Sequence, residues 1–167
     1  MTTAFERDRE ERQAIRRYTR PALLVGISAL ITVVVYALLA RLITPEPLFS
    51  PRKLETLFSI VVLVITLIMI VILAVRKTVY YSSRLIREGM NIDDVLRKWN
   101  TVDIVLIGIT ETIPLLGLAL TWIGVPFART WFIFLVSALL LVILMPMGIK
   151  VRGKLMILRQ QHPDLNA

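Results

Sequence analysis

The sequence predicts an all-α, polytopic integral membrane protein with four transmembrane helices in two hairpins and both termini cytoplasmic. Three observations lead there. Hydrophobic residues make up 56% of the 167 positions and the mean hydropathy is +0.73. The apolar residues fall in four runs of roughly 19–24 residues, each long enough to cross about 30 Å of hydrocarbon at about 1.5 Å per residue. The basic residues are distributed very unequally between the two sides of those runs.

Span one is expected near Pro21–Ile43, after a basic segment over 1–20, and span two near Leu54–Val75. Span three is expected near Val102–Val125, after a helical loop over 76–101. Span four is expected near Trp131–Ile149, followed by a basic tail over 150–167. Arg7, Arg9, Arg12, Arg16, Arg17 and Arg20 precede span one, and the middle loop and the tail carry the same sign. In all, sixteen of the twenty Lys and Arg residues lie on one side. Only Arg41, Arg52, Lys53 and Arg129 lie on the other. Positive charge is retained in the cytoplasm, so the termini and middle loop are placed there. The arginine bias suits a bacterial inner (plasma) membrane. The first apolar run is too long for a cleaved signal and no small-residue cleavage site follows it.

The connections have their own signals. Span two is expected to continue as a helix through Tyr80, Arg84 and Arg87 to a stop at Gly89. Asn91 then caps a helix with Asp93 and Asp94 in its first turn. That helix starts near Ile92 and runs into span three. Residues 44–53 hold three prolines and predict a stiff turn. Residues 125–130 are so few that spans three and four must be antiparallel neighbours. Trp99 on one side, and Trp122 and Trp131 on the other, are expected at the membrane interfaces, where an amphipathic ring is favoured.

Composition excludes several functions. With no cysteine there is no disulfide, thiolate metal site or cysteine nucleophile, and His162 stands alone in a polar tail. No metal-ligand spacing and no cofactor motif occurs. The spans offer hydroxyls and isolated carboxylates but no histidine or cysteine to activate a nucleophile, so an enzyme is not expected. The formal charge of +8 borders apolar spans, where orientation and contact with anionic lipid account for it. Nucleic acid is not an expected partner.

Span three carries the candidate site. Asp103, Thr110, Pro114, Gly117, Thr121 and Gly124 fall near one helical stripe that is small or polar, whereas the rest of the helix is large and apolar. Such a stripe either packs against another helix or lines a wet path. Glu111 lies about 13 Å into the span, where an ionised carboxylate costs about 2.5–3.5 kcal/mol. It therefore requires a partner, water or a proton; Thr66 and Ser137 are the hydroxyls on other spans that could serve. Pro114 cannot donate to the carbonyl of Thr110, so a kink beside Glu111 and Thr112 is expected. Asp103 reads as an ordinary carboxylate near a helix start.

Pro114, Leu115, Leu116, Gly117, Leu118, Thr121, Ile123 and Gly124 resemble the pore-helix pattern of the MotA/TolQ/ExbB proton-channel family, and the run REGMNIDDVLRKW before span three resembles the segment that precedes it there. The similarity covers about 35 of the 167 residues. Leu120 replaces the usual glycine before the threonine, and the region between spans two and three is short for the family. The resemblance implies a homo-oligomeric ring around helices of a single-span partner, with protons passing hydroxyls of the ring. Thr121 then takes the place of the pore threonine, and Ser137 is a weaker second hydroxyl. The expected ion path is Glu111, Thr110, Thr112 and Thr121, with Pro114, Gly117 and Gly124 setting kink and packing. Two other readings stand beside it: an accessory subunit of a larger membrane complex, and a small dimeric secondary transporter.

Overall fold

The computed structural model describes residues 4–43, 47–81, 92–146 and 148–161, and these are helical apart from short connections. The elements are α1 (Ala4–Leu42), α2 (Pro51–Tyr81), α3 (Ile92–Thr110), α4 (Thr112–Trp122), α5 (Phe127–Leu144) and α6 (Gly148–Gln161). Four stretches are long and apolar enough to cross a membrane: Gln13–Leu42, Pro51–Tyr80, Asp93–Trp122 and Phe127–Leu144. The third is α3 and α4 in series, interrupted at Glu111.

Each boundary follows from local chemistry. Pro21 lies inside α1 without ending it. α2 begins at Pro51, where the missing amide would have had no helical partner, and the Leu54 amide donates to the Ser50 carbonyl (3.1 Å). The break at Glu111 lies three residues before Pro114, whose ring nitrogen cannot reach back to Thr110. α4 ends in a Schellman arrangement. The Val125 amide donates to the Leu120 carbonyl (3.0 Å), the Gly124 amide to the Thr121 carbonyl (3.1 Å), and Gly124 has φ 111°. Val125 and Leu120 are both buried beside it, which completes the motif. Gly124 therefore acts as a helix stop. A Cβ there would lie 2.6 Å from Pro47 Cα, so glycine is also needed for the close passage of the first connection. The Leu48 amide donates to the Ile123 carbonyl (3.2 Å) and ties the two connections at this end together.

α1 packs on α3, α4, α5 and α6, whereas α2 leans on α3 and α4. Spans three and four are close neighbours, as their short turn requires. Gly117 faces Ile133 and Phe134, and Thr121 faces Thr130, pairings that run in opposite chain directions. The main core joins Ala29, Val33, Ile65, Ile72, Ile107, Ile113, Ile133 and Leu141 along the spans. A second cluster, of Ile15, Tyr80, Val95, Leu96, Trp99, Val151 and Leu155, lies at the end rich in basic residues. Residues of α1, α2, α3 and α6 meet there, beyond the purely apolar runs.

Several expectations need correction or limit. Span four was expected to reach Ile149, but its helix ends at Leu144, where Met145 turns extended (ψ 125°) ahead of Pro146. A separate helix, α6, follows and docks through Val151 and Leu155, whereas only a basic tail was expected. Trp99 is buried (5% exposed) against Tyr80 and does not face lipid headgroups. Trp122 and Trp131 are exposed. The expected helix through Arg84 and Arg87, the stop at Gly89, the cap at Asn91 and the single histidine, His162, lie outside the described residues.

Candidate functional site

The small and polar stripe of span three faces inward. Asp103, Thr110, Pro114, Gly117 and Thr121 are all buried, and Gly124 is half-buried. Thr110 donates to the Leu106 carbonyl (2.8 Å), and Thr121 lies 3.0 Å from the Gly117 carbonyl and 3.0 Å from the Thr130 hydroxyl. The Thr121–Thr130 contact ties α4 to α5, whereas the Thr110 hydroxyl is spent within its own helix. A Cβ on Gly117 would sit 3.1 Å from Ile133 Cγ2 and 3.2 Å from Phe134 Cζ, so glycine sets how closely α4 and α5 approach.

Glu111 and Thr112 are placed elsewhere. Thr112 is exposed and donates to the Ile109 carbonyl (2.8 Å). Glu111 is half-buried, at the junction of α3 and α4, and among the described residues no side chain bonds or pairs with it. Thr66 is exposed and donates to the carbonyl of Val62. Ser137 is fully buried on α5, with no hydrogen-bond partner among the described residues. Neither serves the glutamate. The outward face of α3 and α4 presents Val105, Gly108, Thr112, Leu115 and Ala119 at three- and four-residue spacing. Around Gly108 a Cβ would meet nothing within 4 Å.

A second constellation was not anticipated from the sequence, and it is the more elaborate. Asp103 is 1% exposed. The Tyr80 hydroxyl donates to its Oδ2, and Arg76 Nε lies 3.6 Å from its Oδ1. The Arg76 guanidinium also donates to the carbonyls of Ile143 and, at 3.0 Å, Leu144. It is thereby held between a carboxylate and the negative end of α5, two features that each favour a cation. Tyr80 is covered by Trp99 (ring centroids 4.7 Å apart) and by Lys154, whose Nζ lies 3.4 Å from the ring centroid. A π face next to an ammonium adds to the attraction. One buried group thus fastens α2, α3, α5 and α6.

Asp103 was read as a first-turn carboxylate. With α3 starting at Ile92 it lies three turns inside the helix, where that explanation no longer applies. Its partners, Arg76 and Tyr80, are 27 and 23 positions away in the chain and on another helix, so no local spacing announces them. Among the described residues no group of three or more His, Cys, Asp or Glu side chains could hold a metal ion.

No family model matches the chain, and comparison with the curated proteins and with the solved structures likewise returns no match.

Proposed function

We propose that this chain is a subunit of an oligomeric membrane assembly that handles protons, with Glu111 as the exchangeable group at a seam between subunits. The supporting observation is the glutamate itself. It lies near the middle of the third span, half-buried, with no donor or cation from its own chain among the described residues. A carboxylate at that depth is compensated by a proton, by water or by a neighbouring protein. Thr112 and Gly108 share the outward surface beside it, and the kink at Pro114 leaves the Thr110 carbonyl without its helical donor nearby. Thr110 and Thr121 instead act as packing hydroxyls. On this reading the route runs along the outer surface of α3 and α4, where a second copy or a single-span partner would close it. The basic termini lie on the cytoplasmic side of a plasma membrane.

The test is proton uptake into proteoliposomes under an imposed pH gradient. The wild-type chain, with its natural partner if one copurifies, gives flux that Glu111→Gln abolishes. Flux unchanged by that substitution refutes the role. A second reading, an accessory subunit of a larger complex, is favoured by α2, of whose apolar window only 11% is buried, leaving most of its circumference for another protein. The stoichiometry of the native detergent-purified particle separates the two. A large stoichiometric partner supports the accessory role, whereas a homo-oligomer supports the proton-handling assembly.

A further inference from the structure

The outward stripe of α1 changes character abruptly. Leu24, Ile27, Ile31, Val34 and Leu38 are exposed at helical spacing, 44–68% accessible, and form a lipid-facing surface. The same helix, unbroken through Pro21, exposes Arg16, Arg17 and Arg20 directly above it. Arg20 and Arg41 are 21 positions apart, about 31 Å along the axis, which matches the thickness of a hydrocarbon core. The three guanidinium groups are thus placed at headgroup depth, on the surface that meets lipid. Lys77, exposed at the matching end of α2, adds to the collar.

Among the described residues these arginines also have no acidic partner. No Asp or Glu lies three or four positions from Arg16, Arg17 or Arg20, and among the described residues none of them forms an ion pair. Arg16 and Arg20 are themselves at i,i+4, a like-charge pair that disfavours the helix. A phosphodiester between them removes that repulsion and accepts the planar fork of donors that arginine presents.

We propose that Arg16, Arg17 and Arg20 form a binding site for the phosphate of an anionic phospholipid in the leaflet at the basic end of the bundle. Each basic residue near such a surface contributes about fivefold to partitioning, so the three together contribute about a hundredfold at low salt. The experiment is native mass spectrometry of the full detergent-purified chain, titrated with phosphatidylglycerol or with phosphatidylcholine of the same acyl chains. The wild type retains phosphatidylglycerol preferentially. In R16Q/R17Q/R20Q the preference falls at least about tenfold, whereas R41Q/R52Q/K53Q, at the opposite end, keeps it. Retained preference in the first variant, or equal loss in the second, overturns the proposal. Inorganic phosphate is the control for a soluble anion: displacement of the lipid by millimolar phosphate overturns the assignment to a headgroup. If the glutamine variant does not fold, R16K/R17K/R20K is titrated with salt instead. A steep fall in preference with ionic strength is expected, and a flat response refutes the electrostatic site.

Discussion

Arg76→Met tests the account of the buried network most directly. The substitution keeps an unbranched apolar stem and removes the guanidinium. Asp103, 1% exposed, then keeps the Tyr80 hydroxyl and the field of the Lys154 ammonium but loses its guanidinium, and the carbonyls of Ile143 and Leu144 lose their donor. Removing one partner of a buried ion pair costs about 3–5 kcal/mol, because an uncompensated charge remains. Asp103→Asn should cost less, about 2 kcal/mol. The Tyr80 hydroxyl still finds an acceptor in the amide, and Arg76 keeps the two carbonyls at the end of α5. The double variant should fall short of the sum by about 1–2 kcal/mol, since the asparagine relieves the stranded charge. Equilibrium unfolding in mixed micelles with rising SDS measures all three. Trp99, stacked at 4.7 Å on Tyr80, reports locally once the exposed Trp122 and Trp131 are replaced by phenylalanine. Strict additivity, or a larger loss in Asp103→Asn than in Arg76→Met, refutes the electrostatic reading.

Gly124→Ala should destabilise by about 1–3 kcal/mol in the same assay, since its backbone has φ 111° and the new methyl would meet Pro47 Cα at 2.6 Å. Two glycines on opposite sides of the third span should behave oppositely. Gly117→Val, pressed against Ile133 and Phe134, should cost about 1–3 kcal/mol, whereas Gly108→Leu, in open space, should leave monomer stability within about 0.5 kcal/mol. If the outer face is a subunit seam, Gly108→Leu should nonetheless reduce the oligomer seen by sedimentation in detergent; an unaltered particle would place the seam elsewhere. Glu111→Gln should leave folding stability unchanged or raise it, as the carboxylate has no side-chain partner among the described residues; a loss above about 1 kcal/mol would reveal a structural bond.

The membrane layout was legible because hydrocarbon thickness fixes the length of an apolar run, and four such runs are present. The break in the third span was legible because Pro114 has no amide to give. That Asp103, Thr110, Pro114, Gly117, Thr121 and Gly124 share a stripe was legible from helical periodicity, but its direction and purpose were not: periodicity says which residues share a face, and only the position of α5 decides between packing and a path. α6 was missed because Lys150, Arg152, Lys154 and Arg159 dominated the reading of this segment, and nothing local shows that Val151 and Leu155 dock on the bundle. Pro146 was the available signal that span four stops early. The network around Asp103 could not be read locally, since it requires α2 to end beside the third span with Arg76 and Tyr80 turned toward it.

Asp103 and Glu111 lie eight residues apart on the third span, about 12 Å along its axis, and their circumstances differ for a reason of depth. Asp103 lies near the end of the hydrocarbon, where a neighbouring helix can carry a cation: Arg76 stands at the boundary of α2's apolar run and reaches it. Glu111 lies where no helix of this chain has a basic residue. None occurs over 21–40, 54–75, 99–128 or 130–149. The hydroxyls at that level do not replace one. Thr66 and Thr110 bond to carbonyls of their own helices, and the buried Ser137 hydroxyl makes no hydrogen bond among the described residues, to the glutamate or to any other group. A cation placed at mid-depth would itself be costly to insert, so a chain of four spans cannot cheaply neutralise a central glutamate from within. Compensation then comes from a proton, from water or from another chain. Asp103 is thereby a fastener of the fold, and in the function proposed above Glu111 is the group by which the protein acts on something outside itself.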